Sequence, residues 1–233
     1  MFKKNISLIA VLALFTGCVQ KNVENETYDL STHWFNKKEL ANHKIILNKN
    51  LTLQYNDGSE TSKYTDYVVY KKAQDSNLLE QYTFFEDIDK QNLKTMIANR
   101  SIDLRYAIFK NEIKETFVAE NQTSSYKRDV KINDKVIEEN NIDGSSLVCK
   151  FSNYYGTLSV KNKINEFFNS KYPVLDKNYD NVMELQCKDS FVDGEYYIYM
   201  AKDIGTIFYM RKDRDDGSVE ESFSMLESQT IIE

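Results

Sequence analysis

The chain has 233 residues, 41% of them hydrophobic and 13% aromatic, enough to bury roughly 70% of the surface that its unfolded form exposes. Thirty basic and 36 acidic residues give a formal charge of −6, and because the first seventeen residues hold two lysines and no acid, the remainder carries −8. Acidity without a basic tract argues against a nucleic-acid partner, and one proline with seven glycines excludes collagen-like, Pro-rich and low-complexity architectures.

Residues 1–20 read MFKKNISLIAVLALFTGCVQ. Lys3 and Lys4 form a basic start, Ile6 to Phe15 an apolar stretch, and Thr16, Gly17 and Cys18 follow, which is the layout of an export signal. At about 1.5 Å per residue the apolar stretch covers about 15 Å, half of a ~30 Å hydrocarbon core, and is too short to span. Leu14 to Cys18 resembles the bacterial lipobox, with Phe15 where that motif usually carries an aliphatic residue. The resemblance implies a signal peptide over 1–17 and lipid attachment at Cys18. Acyl chains such as palmitate, two or three together, would hold the protein to a membrane where a single chain holds only marginally. The alternative is a conventionally cleaved signal in which Cys18 is incidental. Val19 and Gln20 bring no acid after Cys18, which resembles lipoproteins sorted onward, so the expected place is the cell envelope, at the outer membrane facing the periplasm in preference to the inner membrane. Residues 18–30 are polar, lack apolar periodicity and read as the lipidated cysteine and a tether reaching about 18 Å.

From residue 31 to 233 the sequence reads as one β-rich domain. Ser31 to about Asn42 is a candidate helix with poor apolar spacing. Leu51, Leu53 and Tyr55 alternate as on a half-buried strand, and so do Ile102, Leu104, Tyr106 and Ile108. Between them Leu93, Met96 and Ile97 predict a short helix behind Asp89. Four Asp-Gly pairs, at 57–58, 143–144, 193–194 and 216–217, mark hairpins; Asn133 and Asp134 mark another tight turn. Val160, Ile164, Phe167 and Phe168 fall at helical spacing behind Ser159, a candidate N-cap. Tyr196 to Met200 is apolar on both faces and predicts a central strand. Val219, Phe223 and Met225 alternate with Glu220, Ser222 and Ser224, predicting a last, one-sided strand whose free edge is charged. The expected class is mainly β, a β-rich α+β fold: a curved antiparallel sheet, sandwich or half-barrel with one to three short helices.

Cys149 lies in phase with Leu147 and Phe151, and Cys187 with Met183 and Leu185, so both thiols are expected in the core. Export and an even count after lipidation favour a Cys149–Cys187 disulfide; two separate buried thiols are the alternative. Closing the intervening loop would stabilise the fold by about 4 kcal/mol in the chain-entropy account.

Farther on, Asn178, Tyr179, Asp180, Asn181 and Val182, then Glu195 to Tyr199, Ala201, Lys202, Ile204, Gly205 and Ile207, resemble a paired-strand pattern of uncharacterised bacterial exported proteins and lipoproteins. The resemblance covers about 30 residues and implies a strand, a bend at Gly205 and another strand, in a curved sheet related to the half-barrels of lipoprotein carriers. It implies no catalytic residues.

Catalytic motifs are missing. His33 and His43 would lie some 15 Å apart along a helix, too far to share a metal, and there is no GxSxG, HExxH, CxxC or phosphate-binding glycine loop. Asp213 to Gly217 lacks the ligand spacing of a calcium loop and reads as a solvated hairpin tip. Neither cofactor nor metal is expected. The leading expectation is a non-enzymatic, lipid-anchored envelope protein whose partners are the membrane and an envelope protein or lipid ligand. Its alternative is a carrier of lipid or lipidated cargo, with the helix at 160–169 as a lid over an apolar cavity.

Overall fold

The computed structural model describes residues 26–233 apart from 75, 141–145, 169–171, 173, 191–192 and 216–217. Its strands are β1 (Tyr28–Asp29), β2 (Ile45–Asn56), β3 (Ser59–Lys72), β4 (Leu78–Phe84), β5 (Leu104–Ile108), β6 (Glu112–Phe117), β7 (Gln122–Lys127), β8 (Asp129–Val130), β9 (Lys135–Asn140), β10 (Ser146–Ser159), β11 (Asn178–Asp189), β12 (Asp193–Ala201), β13 (Gly205–Asp215) and β14 (Ser218–Ile232). Among the described residues there are four short helices: α1 (Ser31–Trp34), α2 (Lys37–Ala41), α3 (Leu93–Ala98) and α4 (Val160–Phe168).

Twelve strands pair in the order β7-β6-β5-β4-β3-β2-β14-β13-β12-β11-β10-β9, while β1 pairs with β8 separately. All neighbours are antiparallel. The chain thus winds outward from β2 to β7, crosses to the opposite edge, and winds inward from β9 until β14 meets β2. Laid flat, twelve strands would span roughly 53 Å. The crossing from Lys127 to Lys135 can reach at most roughly 28 Å. The sheet must therefore curl, and it is nearly closed into a half-barrel, as the sequence predicts.

Alternation divides β2 between the two faces. Ile45, Leu47, Leu53 and Tyr55 are buried on the convex side. There α3 packs Leu93 and Ile97 against Val69, Tyr82 and Phe84, and α4 packs Val160, Ile164 and Phe168 against Tyr199, Phe208 and Phe223. The Ser159 hydroxyl accepts from the Asn162 backbone N–H at 3.3 Å, the cap expected for α4. The concave side is identified by a third cluster that joins Tyr126 of β7 to Ile137 of β9 and Phe151 of β10, strands from opposite ends of the sheet.

Several expectations change. The candidate helix at 31–42 is two helices broken at Phe35, which bridges to Gly205. The tether ends before residue 28, because Tyr28 pairs with Val130 and Leu30 is 0% exposed. The last strand has no free edge: β14 lies between β13 and β2, paired from Glu220↔Asn56 to Ile232↔Ile45. Ser222 and Ser224 line hollows of the concave side, which makes them resemble the outer face of an edge strand. Asp57 and Gly58 form the β2–β3 turn with φ of 46° and 79°. Asp193 and Gly194 instead stand in the ladder opposite Arg214 and Asp213. The pairs at 143–144 and 216–217 lie outside the described residues, although Asp215↔Ser218 brackets the latter. Asn133, with φ 73°, makes the expected turn, but β8 pairs with β1 and not with β9, so the turn is a corner and not a hairpin.

Candidate functional site

The concave face has two ends of opposite character. At one end residues 28–41 are wedged into it. Leu30 and Phe35 are 0% and 1% exposed, the Phe35 ring meets Tyr106 edge-on at 4.8 Å between centroids, and Trp34 stacks on Tyr126 at 4.9 Å. Backbone hydrogen bonds fix the wedge: the Leu30 N–H donates to Arg128 O at 2.8 Å, and the Asp203 N–H to Thr32 O at 2.7 Å. Gly205, with φ 106°, lets the β12–β13 turn approach; a Cβ there would sit 3.0 Å from Trp34 O. Arg128 forks onto Asp29 through Nε at 3.0 Å and Nη2 at 2.5 Å. Burial of Asp29 opposes its ionisation, but hydrogen bonds from Arg128 and Ser31 outweigh this and hold the carboxyl at about 2. His33, buried in the wedge, is held below its ordinary value by desolvation.

At the other end the same face is open, and its wall mixes polar side chains with apolar residues such as Val68, Tyr70 and Leu226. Asn48, Asn50 and Thr52 of β2, Tyr64 and Asp66 of β3, Tyr209 of β13 and Ser224 of β14 line a hollow of about 290 Å³. Pairing explains the grouping: Thr52 lies opposite Tyr64 and Ser224, and Asn50 opposite Asp66. Asn50 Nδ2 donates to Asp66 Oδ2 at 2.9 Å, and Asn48 Oδ1 accepts from Gln229 Nε2 at 3.0 Å. Phe85, 73% exposed, stands at the rim. Burial raises Asp66 above the usual carboxylate range, the Asn50 hydrogen bond partly offsetting it. A second hollow of about 410 Å³, farther along the same strands, is lined by Gln54, Arg211, Asp213 and Glu220.

Buried carboxylates elsewhere are consumed by structure. Glu115 accepts from the Tyr106 and Tyr126 hydroxyls at 3.0 and 2.5 Å. Glu184 accepts from Ser152 and Tyr155, both at 2.7 Å, with Lys163 Nζ at 3.6 Å. Glu80 accepts from Tyr82 at 2.9 Å and pairs with Lys71 at 3.2 Å. Burial first, and then the adjacent carboxylate, pushes the Tyr82 and Tyr106 phenols above their ordinary value. Each of these three arrangements locks a hydroxyl to a carboxylate.

The predicted residues fall as follows. Cys18, the signal peptide and the first part of the tether lie outside the described residues. Cys149 and Cys187 are directly opposed on β10 and β11, buried, and joined in a disulfide. His33 lies buried in α1, and His43 lies exposed in the turn after α2. Among the described residues no three His, Cys, Asp or Glu side chains converge as metal ligands. The acidic run is not a solvated tip at Asp213, which is buried beside Arg211 within β13. The lid is corrected too: α4 covers the convex face, its Phe168 packed on Tyr172 and Phe223, because its apolar stripe meets the convex residues of β12–β14. The wedge and the hollow had no sequence motif; the only signal was the change along β2 from Ile46 to Asn48, Asn50 and Thr52 within one alternating face. No protein-family model matches the chain, and no curated protein matches it.

Proposed function

We propose that the protein is a non-enzymatic, lipid-anchored component of the bacterial cell envelope, held by Cys18, that binds a small ligand in the open end of its concave face. The observation that carries this reading is the division of that face: one end is filled by the protein's own residues 28–41, while the open end holds a hollow of about 290 Å³ with a mixed polar and apolar wall, near the lower bound of roughly 300 Å³ for small-ligand sites. A lipid carrier would need a continuous apolar cavity, and the apolar end has Phe35 where an acyl chain would lie. Carriage would require the wedge to leave.

Two measurements test the reading. Metabolic labelling with a fatty acid should mark the wild-type chain and not Cys18→Ala; label on the variant would end the anchor assignment. A thermal-shift and NMR screen of small envelope metabolites should give ligands that Ser224→Leu, which fills the hollow, abolishes. Ligands unaffected by Ser224→Leu, or a bound fatty acid displacing Trp34 fluorescence, would overturn the concave assignment.

A further inference from the structure

Asp66 is a half-buried carboxylate with no cation beside it among the described residues, whereas several of the buried carboxylates have one. Lys71 serves Glu80 at 3.2 Å, Lys163 serves Glu184 at 3.6 Å, and Lys212 serves Glu221 at 2.7 Å; Arg211 serves Asp213. Glu115 is held by two phenols. Asp66 accepts from the neutral Asn50 amide, and among the described residues no lysine, arginine or histidine pairs with it. It is also the only one of these carboxylates on the 290 Å³ hollow. A half-buried carboxylate without a counterion carries a desolvation cost that an incoming positive charge would relieve.

The walls suit a particular kind of charge. Tyr64 and Tyr70 lie on the same face of β3 as Asp66, two residues before it and four after, and Tyr209 of β13 lines the same hollow; burial raises the Tyr209 phenol, Tyr64 adds to this and Asp66 adds less. Ring faces attract a weakly hydrated organic cation. A calcium-like ion wants about six to eight oxygen ligands, and among the described residues no three His, Cys, Asp or Glu side chains converge as metal ligands. Tyr64 is 39% exposed, so the hollow is open to solvent on that side.

We infer that the hollow binds a small organic cation, its ammonium group set against Asp66, with Tyr64, Tyr70 and Tyr209 along the walls. This rests on the reading that the open end of the concave face is a ligand site, and it names the chemistry of the ligand.

The test is calorimetric and NMR titration of the mature chain with tetramethylammonium, choline and ethanolamine, and with the uncharged choline isostere 3,3-dimethyl-1-butanol. At least one cation should shift the Asn50 and Ser224 resonances and bind about tenfold or more tightly than the isostere. Asp66→Asn, which keeps the size and removes the charge, should erase that preference. Wild-type affinity should fall as pH drops through the titration of Asp66. Equal binding of choline and its isostere, or a preference that survives Asp66→Asn, overturns the cation assignment and leaves the hollow a neutral site. If no cation binds while a neutral compound from the screen is lost on Ser224→Leu, the ligand class is wrong and the site stands. If neither cations nor screened compounds perturb the hollow, both readings fall.

Discussion

The two ends of the concave face are built on the same strands, yet one is packed and the other open. On β2 the change occurs within two residues, from Ile46 buried against Phe35 and Leu40 to Asn48 at the inner limit of the hollow. On β3 it runs from Tyr70, in edge contact with Phe35 at 5.9 Å, to Asp66. The sheet supplies curvature to both ends; what differs is whether the chain's own N-terminal segment fills it. A curved sheet of this kind needs something inside to be stable, and a binding site on it is the part left unfilled.

Substitutions should separate the ends by the size of their effect. Phe35→Ala, at the filled end, removes a fully buried ring and should cost about 4 kcal/mol in denaturant unfolding; a cost under about 1 kcal/mol would show that the wedge is not part of the core. Replacing both Cys149 and Cys187 with Ser should lower stability by about 3 kcal/mol under oxidising conditions and by little when the wild type is compared in reductant. Protonation of His33 favours the unfolded chain, because burial holds the folded pKa below its ordinary value. Stability should therefore be full above about pH 6.5 and decline below it, a decline that His33→Gln should flatten. Arg128→Ala should cost about 1 kcal/mol after allowance for the partial exposure of the pair. The Asp29 contribution, present above about pH 4, should vanish as pH falls toward about 2. Asp66→Asn, at the open end, should have the smallest effect. Because the fold disfavours its ionised form, the melting temperature should stay or rise slightly, and a large drop would mean that Asp66 is a structural residue.

Local pattern made much of the fold legible. Period-two alternation located β2, β5 and the two-faced β12, and helical spacing with Ser159 located α4, since these depend on neighbours in sequence. In-phase alternation placed Cys149 and Cys187 each in the core, while their pairing was expected from an even count in an exported chain. What sequence could not show depends on distant pairing. That β14 lies beside β2 places its serines inside a trough, and reading it alone made them an edge. The wedge escaped notice because Leu30, Phe35 and Leu40 are spaced across two helices and a break, matching neither period. The site was hidden for the same reason: Asn50, Asp66, Tyr209 and Ser224 come from four strands, and no one of them is unusual in its own segment.

The pairing of β2 with β14 also bears on how the molecule is made. Residues 45–56 find their second partner only in residues 218–232, a closure across most of the polypeptide, and contacts so remote in sequence are slow to form. Until the final strand arrives, β2 presents an unpaired, β-branched and leucine-rich edge to any other extended chain. Synthesis from the N-terminus delivers the two partners far apart in time, so a chaperone that shields residues 45–56 during that interval should raise the yield of correctly assembled protein, and its loss should send the newly made chain toward aggregation.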